Sequence, residues 1–69
     1  MKENTFAENL RSLRLEKGID QVTLAQELQL SKGIISLCEN GLREPNMSPL
    51  IALAKFFGVT IDYLVGLEK

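Results

Sequence analysis

Apolar residues recur at every third or fourth position in several short stretches of the chain, which is the spacing of one face of an α-helix. Between these stretches stand residue types that begin helices, such as serine, threonine and aspartate, or that end them, such as glycine. No stretch alternates apolar and polar residues as a half-buried strand would. The pattern therefore predicts an all-α chain of five short helices packed around one core.

The first predicted helix runs from about 6 to 17. Thr5 and Glu8 have the spacing of a capping box in front of it, and Gly18 supplies a left-handed stop behind it. The inward residues of this helix recur at helical spacing, at Phe6, Leu10 and Leu13.

The second and third helices are predicted over 21–28 and 32–39, with a three-residue turn between them. Asp20 caps the first of this pair and Ser31 caps the second, which ends where Asn40 is followed by glycine. The inward residues of the pair and its turn are Leu24, Ala25, Leu28, Leu30, Ile35 and Cys38.

The fourth helix is capped by either Asn46 or Ser48 and ends at Gly58. Thr60 then caps a last short helix. The inward residues of the fourth helix are Leu50, Leu53, Ala54 and Phe57, and the last helix contains Ile61, Tyr63 and Leu64.

The second and third helices have the spacing of a helix-turn-helix over residues 21 to 40. Two helices joined by so short a turn can pack at a steep angle only if the residue facing the partner is small, and Ala25 stands there. Because the turn has a set length, the apolar positions of the third helix must fall at fixed distances along the sequence from those of the second helix. This makes the pattern more specific than amphipathicity alone.

Length and composition suit one domain spanning 1–69, with 45% hydrophobic residues. No apolar run approaches the ~20 residues of a membrane helix, and the polar N-terminus does not resemble a secretion signal, so we expect a cytoplasmic protein. Cys38 is the single cysteine and there is no histidine, so neither an internal disulfide nor a zinc ligand set is expected. Without histidine, a phosphate loop or a Ser-centred elbow, we expect neither an enzyme nor a bound cofactor.

Residues spread along the chain match one family pattern: Leu10-Arg11-Ser12-Leu13-Arg14, Gly18-Ile19-Asp20-Gln21, Leu24-Ala25, Leu30-Ser31, Ile35-Ser36, Glu39-Asn40-Gly41, Arg43, Pro45, Leu53-Ala54, Gly58-Val59 and Asp62-Tyr63-Leu64. Together they resemble the phage repressor and Cro-type helix-turn-helix family. The resemblance covers about residues 6 to 66. It implies a compact five-helix, lambda-repressor-like DNA-binding domain.

The resemblance also implies roles for particular residues. The third helix of the family lies in the major groove, while the starts of helices two and three and the loop behind helix three meet phosphates. The residues at phosphate-contacting positions are Gln21, Ser31, Asn40 and Arg43. Those at base-reading positions are Lys32, Gly33, Ser36 and Leu37. Arg14 and Glu39 match the family's buried ion pair between helices one and three.

Charge argues against DNA binding at first sight. Eight basic and nine acidic residues give a net charge of −1, whereas nucleic-acid binders usually carry a basic excess. With Glu39 paired to Arg14, however, residues 31 to 43 carry Lys32 and Arg43 and no unpaired acid. Two cations are few, so we expect weak binding by a monomer.

Three departures from the family pattern qualify these expectations. The base-reading positions lack the Arg, Gln and Asn side chains that make bidentate contacts, so specificity is expected to be modest or to depend on DNA shape. Gln29 stands where the family generally has a glycine with positive φ, at a strain of about 1 kcal/mol. Cys38 replaces a larger apolar residue and is expected to be a core residue and not a redox sensor.

Several apolar residues have no inward role in this arrangement: Leu15, Ile34, Leu42, Ile51, Phe56 and Leu67. A cluster of them near the fourth and fifth helices would suit a homodimer that reads a palindromic operator as a repressor. The alternative is a protein-interaction module that keeps the fold but has lost useful DNA affinity, with Ile34, Leu37 and Leu42 as its surface. The chain is equally compatible with a complete small regulator and with one domain of a longer one, although Met1 suggests a true start.

Overall fold

All regular structure in residues 5–67, the part that the computed structural model describes, is helical. The helices are α1 (Thr5–Lys17), α2 (Gln21–Leu28), α3 (Lys32–Glu39), α4 (Met47–Phe57) and α5 (Ile61–Leu64). The second and third helices begin and end at the predicted residues, and α1 begins one residue early. None of these helices has the length and apolarity that crossing a membrane requires.

Three of the predicted helix caps are formed by side chains. The carboxylate of Asp20 accepts a hydrogen bond of 2.7 Å from the amide of Thr23 at the start of α2. Ser31 Oγ accepts from the amide of Ile34 at 3.2 Å, and Thr60 Oγ1 accepts from that of Tyr63 at 3.0 Å. Each bond satisfies one amide of a first helical turn, which has no partner within its helix. These caps fix where α2, α3 and α5 begin.

Two predictions about helix starts need correction. The helix α1 begins at Thr5 itself, so Thr5 is a first-turn residue and does not act as the predicted N-cap of a capping box. Asn46, and not Ser48, occupies the N-cap position of α4, but its side chain makes no capping hydrogen bond there. Ser48 lies inside the first turn of α4. The extended backbone at Asn46 begins this helix without a side-chain cap.

All five helices contribute residues to the core, and the apolar face of each helix points towards it. The buried apolar residues are Phe6, Ala7, Leu10, Leu24, Ala25, Ile35, Cys38, Leu53, Ala54 and Leu64. The expectation that Cys38 is a core residue is confirmed, since it is a buried free thiol. Burial of these side chains is the main term that stabilises so short a chain.

Two of the apolar residues without a predicted role pack against the core. Ile34 and Phe56 are half-buried and contact the core cluster. The rings of Phe56 and Phe57 meet edge to face with centroids 5.1 Å apart, and Lys17 Nζ lies 5.2 Å from the Phe56 centroid. The other four residues of that set, Leu15, Leu42, Ile51 and Leu67, are exposed.

The turn after α5 is held closely against α1. Asn9 Nδ2 donates to the carbonyl oxygens of Tyr63 at 2.9 Å and Leu64 at 3.3 Å, which closes the C-terminal end of α5. Gly66 has a φ of 89°, and a Cβ at this position would collide with the side chain of Thr5. Only glycine fits this approach. The short last helix is thereby fixed to the first.

Candidate nucleic-acid interface

The turn between α2 and α3 sets how the third helix is presented. Gln29 adopts φ 59° and ψ 39°, the left-handed conformation that the family pattern requires at this position. The amide of Leu30 then donates to the carbonyl of Ala25 at 2.8 Å, which closes the end of α2. Ala25 is buried where α2 packs on α3. A small residue and a left-handed turn residue together determine this helix-turn-helix geometry.

An ion pair at the meeting point of three helices joins this unit to α1. The guanidinium of Arg14 donates to the carboxylate of Glu39 through Nε at 2.6 Å and Nη2 at 3.0 Å. Arg14 Nη1 also donates to the carbonyl of Ile19 at 2.9 Å. The two charged side chains are only 10% and 4% exposed. The ion pair expected between the first and third helices is therefore present.

A third donor reaches the same carboxylate. Gln21 Nε2 donates to Glu39 Oε1 at 3.1 Å. This bond brings the first residue of α2 to the last residue of α3, so the two helix ends that flank the outward face of α3 lie side by side. Glu39 thus holds Gln21 as well as Arg14.

The electrostatics of this corner follow from these contacts. The hydrogen bond to Glu39 raises the pKa of Arg14 above its ordinary value, an effect that partial desolvation opposes. Burial raises the pKa of the Cys38 thiol, while the nearby charge of Arg43 lowers it. Arg14 therefore stays charged and neutralises Glu39.

The outward face of α3 carries the residues at base-reading positions. Ile35 and Cys38 point into the core, and the opposite side of the helix bears exposed or half-exposed residues. These are Lys32, Gly33, Ser36, Leu37 and Asn40. At 100° per residue, Gly33 stands at the middle of this face, with Ser36 on one side of it and Leu37 on the other. A continuous helical surface is thus left unpacked by the rest of the domain.

The residues at phosphate-contacting positions lie around the two ends of this face. Ser31, at the start of α3, is exposed, but its Oγ already accepts the capping bond. Asn40 Nδ2 donates weakly to Ser36 Oγ at 3.4 Å, and Arg43 is exposed just beyond. Gln21 is half-buried, and its side-chain amide donates one of its two hydrogens to Glu39. The fold brings Gln21 and Asn40 to one end of α3 and Ser31 to the other.

Charge on this surface is favourable but sparse. Lys32 and Arg43 are exposed cations, and the acid in the same segment, Glu39, is neutralised. The N-termini of α2 and α3, where the cap engages one first-turn amide each, add partial positive charge. Asp20 opposes them at the start of α2, where hydrogen bonds from the side chain and backbone of Thr23 lower its pKa. Over residues 31–43 the balance is positive, although the exposed acid Glu44 follows Arg43 directly and the chain as a whole has a net charge of −1.

Sequence reasoning missed the contact between Gln21 and Glu39. A signal for it existed, because a buried carboxylate has more acceptor sites than one arginine fills. It also missed the exposure of Val22 in the first turn of α2. The alternative protein-binding surface is smaller than expected, because Ile34 packs on the core and only Leu37 and Leu42 remain exposed.

Comparison with known proteins gives matches over nearly the whole chain. A helix-turn-helix family model matches residues 10–64. The transcriptional activator BcrR of Enterococcus faecalis is 44% identical over 64 residues, covering 93% of this chain and 31% of that protein. The cryptic phage CTXphi transcriptional repressor RstR of Vibrio cholerae is 33% identical over 61 residues, covering 88% of this chain and 55% of the repressor. This chain thus spans about a third to a half of these relatives.

A solved structure agrees with the fold in detail. The P22 c2 repressor, in complex with a synthetic operator, superposes with a TM-score of 0.88 at 30% identity over 96% of this chain and 100% of that one. The predicted all-α, five-helix repressor-like fold is therefore confirmed. The relatives are named as regulators of transcription, in agreement with the expectation that the chain is not an enzyme.

Proposed function

The chain belongs to the helix-turn-helix family of the Cro/C1 type, and from that premise we propose that it regulates transcription by binding double-stranded DNA sequence-specifically. The helix α3 enters the major groove with Lys32, Gly33, Ser36 and Leu37 towards the bases. In this proposal the protein acts in the cytoplasm, and its binding to DNA involves neither a metal nor a cofactor.

The observation that carries this proposal is the unpacked outward face of α3. The residues of α3 that face away from the core form an exposed surface with the width of a single helix. The major groove of B-DNA is wide enough to admit one α-helix. A cation stands at the beginning of this surface, Lys32, and another beyond its end, Arg43. The P22 c2 repressor, which has the same backbone arrangement, was solved on operator DNA.

Phosphate contacts come from the ends of this surface. The amides at the N-termini of α2 and α3 attract phosphate oxygens, and Gln21 and Ser31 belong to these two ends. Asn40 and Arg43, at the same end of α3 as Gln21, supply an amide and a guanidinium to the phosphates there. The engaged amide of Gln21 keeps one further hydrogen to donate.

A homodimer on a palindromic operator is the form that we propose for the bound protein. Exposed apolar residues occur on α4, on α5 and in the turn after it: Met47, Ile51, Tyr63 and Leu67. Met47 and Ile51 lie one turn apart on α4, and α5 packs against α4. Two copies double the number of cations at the DNA, which compensates for the few that one copy carries.

Repression is the proposed outcome of binding. Occupancy of an operator that overlaps a promoter excludes polymerase without any further contact. RstR and the P22 c2 protein are named as repressors, although BcrR is named as an activator. Transcription in vitro from a template carrying the selected site distinguishes the two outcomes by its sign.

The experiment that tests DNA binding is fluorescence anisotropy with duplex DNA enriched from a random pool, over a range of salt concentrations. We expect salt-sensitive binding, with the slope of log K against log salt reduced by about 0.9 for each phosphate contact that a variant loses. Arg43→Ala weakens binding and lowers the slope. Lys32→Ala weakens binding as well.

The matched control is Arg11→Ala, which removes the same charge as Arg43→Ala from an exposed residue of α1. We expect it to leave affinity close to that of the unaltered protein. Equal losses in Arg43→Ala and Arg11→Ala would mean that only net charge matters. Absence of any binding at low salt and tens of micromolar protein would reject the DNA proposal and favour a protein-interaction module.

A further inference from the structure

Asn40 and Gly41, which follow α3 directly, form a pair with a covalent chemistry of its own. Both residues are exposed, and Gly41 has no side chain to shield its backbone nitrogen from the asparagine before it. The other asparagines of residues 5–67, Asn9 and Asn46, are followed by leucine and methionine. Asn40 is therefore the asparagine at which attack by the next backbone nitrogen meets the least obstruction.

We propose that Asn40 is a deamidation site, and that its conversion to aspartate or isoaspartate releases the protein from DNA. The inference rests on the proposed DNA binding, in which the side-chain amide of Asn40 donates to a phosphate. Deamidation replaces this donor with a carboxylate, which has no hydrogen to donate and repels the phosphate.

The reaction needs no co-reactant except water. The backbone nitrogen of Gly41 gives up its proton and attacks the side-chain carbonyl carbon of Asn40. A bond forms between these two atoms, the bond from that carbon to Nδ2 breaks, and Nδ2 takes up the proton and leaves as ammonia. One water molecule then opens the five-membered succinimide at either carbonyl. The opening gives aspartate or isoaspartate, and the proton of the new carboxyl group passes to solvent.

The fold restrains this reaction without preventing it. At the ψ of 3° that Asn40 adopts, the backbone nitrogen of Gly41 is turned away from the Asn40 side chain. This nitrogen donates to the carbonyl of Cys38 at 3.2 Å, and Asn40 Nδ2 donates to Ser36 Oγ at 3.4 Å. Both bonds are at the long end of the range for hydrogen bonds. Ring closure breaks both, so it follows local opening of the end of α3 and does not require global unfolding.

Binding to DNA adds a further restraint. A phosphate that accepts from the Asn40 amide holds this side chain in place, so deamidation is slower in the complex than in the free protein. The new carboxylate also stands at the C-terminal end of α3, where the partial charge of the helix is already negative. Copies of the protein that are not on DNA are therefore the ones that lose the ability to bind it.

The first experiment measures the modification itself. The protein is incubated at neutral and at mildly alkaline pH, and peptide mapping by mass spectrometry follows the conversion of each asparagine. Asn46 is the internal control, because it is exposed and its side chain makes no capping hydrogen bond. We expect Asn40 to convert faster than Asn46, and faster at the higher pH because the attacking nitrogen has to lose its proton.

Two variants and one ligand test the restraints. We expect Ser36→Ala, which removes the acceptor of the Asn40 side chain, to speed conversion at Asn40. Ser12→Ala, at an exposed serine of α1, is the matched control and keeps the rate of the unaltered protein. A saturating amount of duplex enriched from the random pool slows conversion at Asn40 and leaves the rate at Asn46 unchanged.

The second experiment measures the consequence for DNA binding. Anion exchange separates the deamidated protein by its additional negative charge, and circular dichroism checks that it is folded. We expect its affinity in anisotropy to be about tenfold lower, the loss of one hydrogen bond to a charged group. Asn40→Asp reproduces this loss without incubation. The affinity of Asn40→Gln, which retains an amide, does not change during the same incubation.

Two results would overturn the inference. One is conversion at Asn40 that is no faster than at Asn46. The other is a separated, folded, deamidated protein that binds the duplex as tightly as the unaltered one. Both leave the proposed DNA binding intact. Failure to bind any duplex at low salt rejects the proposed function and with it the release from DNA, whereas conversion at Asn40 is measured independently of DNA.

Discussion

At the scale of single residues, Gln29 stands out because its backbone is left-handed although it has a Cβ. Its φ of 59° is the value at which glycine is favoured. The side chain is exposed, so no packing of the domain depends on it. The chain therefore keeps the turn between α2 and α3 at the expense of local strain, as the sequence indicated.

We expect Gln29→Gly to stabilise the domain by about 0.5 to 1 kcal/mol. Relief of roughly 1–2 kcal/mol of left-handed strain exceeds the added entropy of glycine in the unfolded chain. Urea denaturation measures the change. The control is Gln26→Gly, an identical substitution at an exposed position inside α2, which we expect to destabilise by about 1 kcal/mol. Destabilisation by both variants would mean that the turn carries no strain.

At the scale of helices, the N-terminus of α2 combines a cap with the proposed phosphate contact. Asp20 accepts from the amide of Thr23, and this keeps the pKa of its carboxyl below the ordinary value. A depressed pKa means that the folded state favours the carboxylate. Its contribution to stability is therefore present above the pKa of the unfolded chain, about 3.9, and is lost as the pH falls through the lower folded value.

We expect the free energy of unfolding of Asp20→Ala to lie below that of the unaltered protein at neutral pH and to approach it as the pH falls below about 4. Urea denaturation at a series of pH values measures this gap, the difference in free energy of unfolding between the two proteins. The other carboxylates titrate in the same way in both proteins, so their contribution cancels in the difference. Asp20→Asn keeps a neutral acceptor and serves as the control, because its gap to Asp20→Ala does not depend on pH. A constant gap between the unaltered protein and Asp20→Ala down to pH 2.5 would contradict the assignment.

At the scale of the whole molecule, size and surface suit side-by-side binding of two copies. The longest extent of the domain is 30 Å, and successive major grooves on one side of B-DNA are about 34 Å apart. These dimensions agree with the proposal that two copies lie side by side on neighbouring turns. The exposed apolar residues of α4 and α5 are available for this contact.

We expect the average mass in sedimentation equilibrium without DNA to rise with protein concentration towards that of two chains. Ile51→Lys introduces a charge into the proposed interface on α4 and keeps the protein monomeric, since an unpaired charge in an apolar interface is costly. The control is Leu15→Lys at a more exposed apolar residue on α1, 56% exposed against 37% for Ile51. Dimers that survive Ile51→Lys, or a monomer at millimolar concentration, would count against this interface.

Much of the fold could be predicted from the sequence because the signals were local. Caps at Asp20, Ser31 and Thr60 set helix starts, and the apolar period set the inward faces. The start of α1 was predicted at about 6 with Thr5 as its cap, one residue late, since a capping box and a first turn use similar residues. The spacing of the helix-turn-helix positions predicted how α2 and α3 meet.

The sequence by itself determined the five helices, the two helices that form the helix-turn-helix and the residues on the outward face of α3. Only the tertiary structure decided which side chains meet across helices. In the folded domain Ile34 and Phe56 are partly buried, and Leu37 is exposed one turn from Gly33. Gln21 donates a hydrogen bond to Glu39. The physical reason is range: caps and apolar periods act within a helical turn or two, whereas these contacts depend on how whole helices lie against each other.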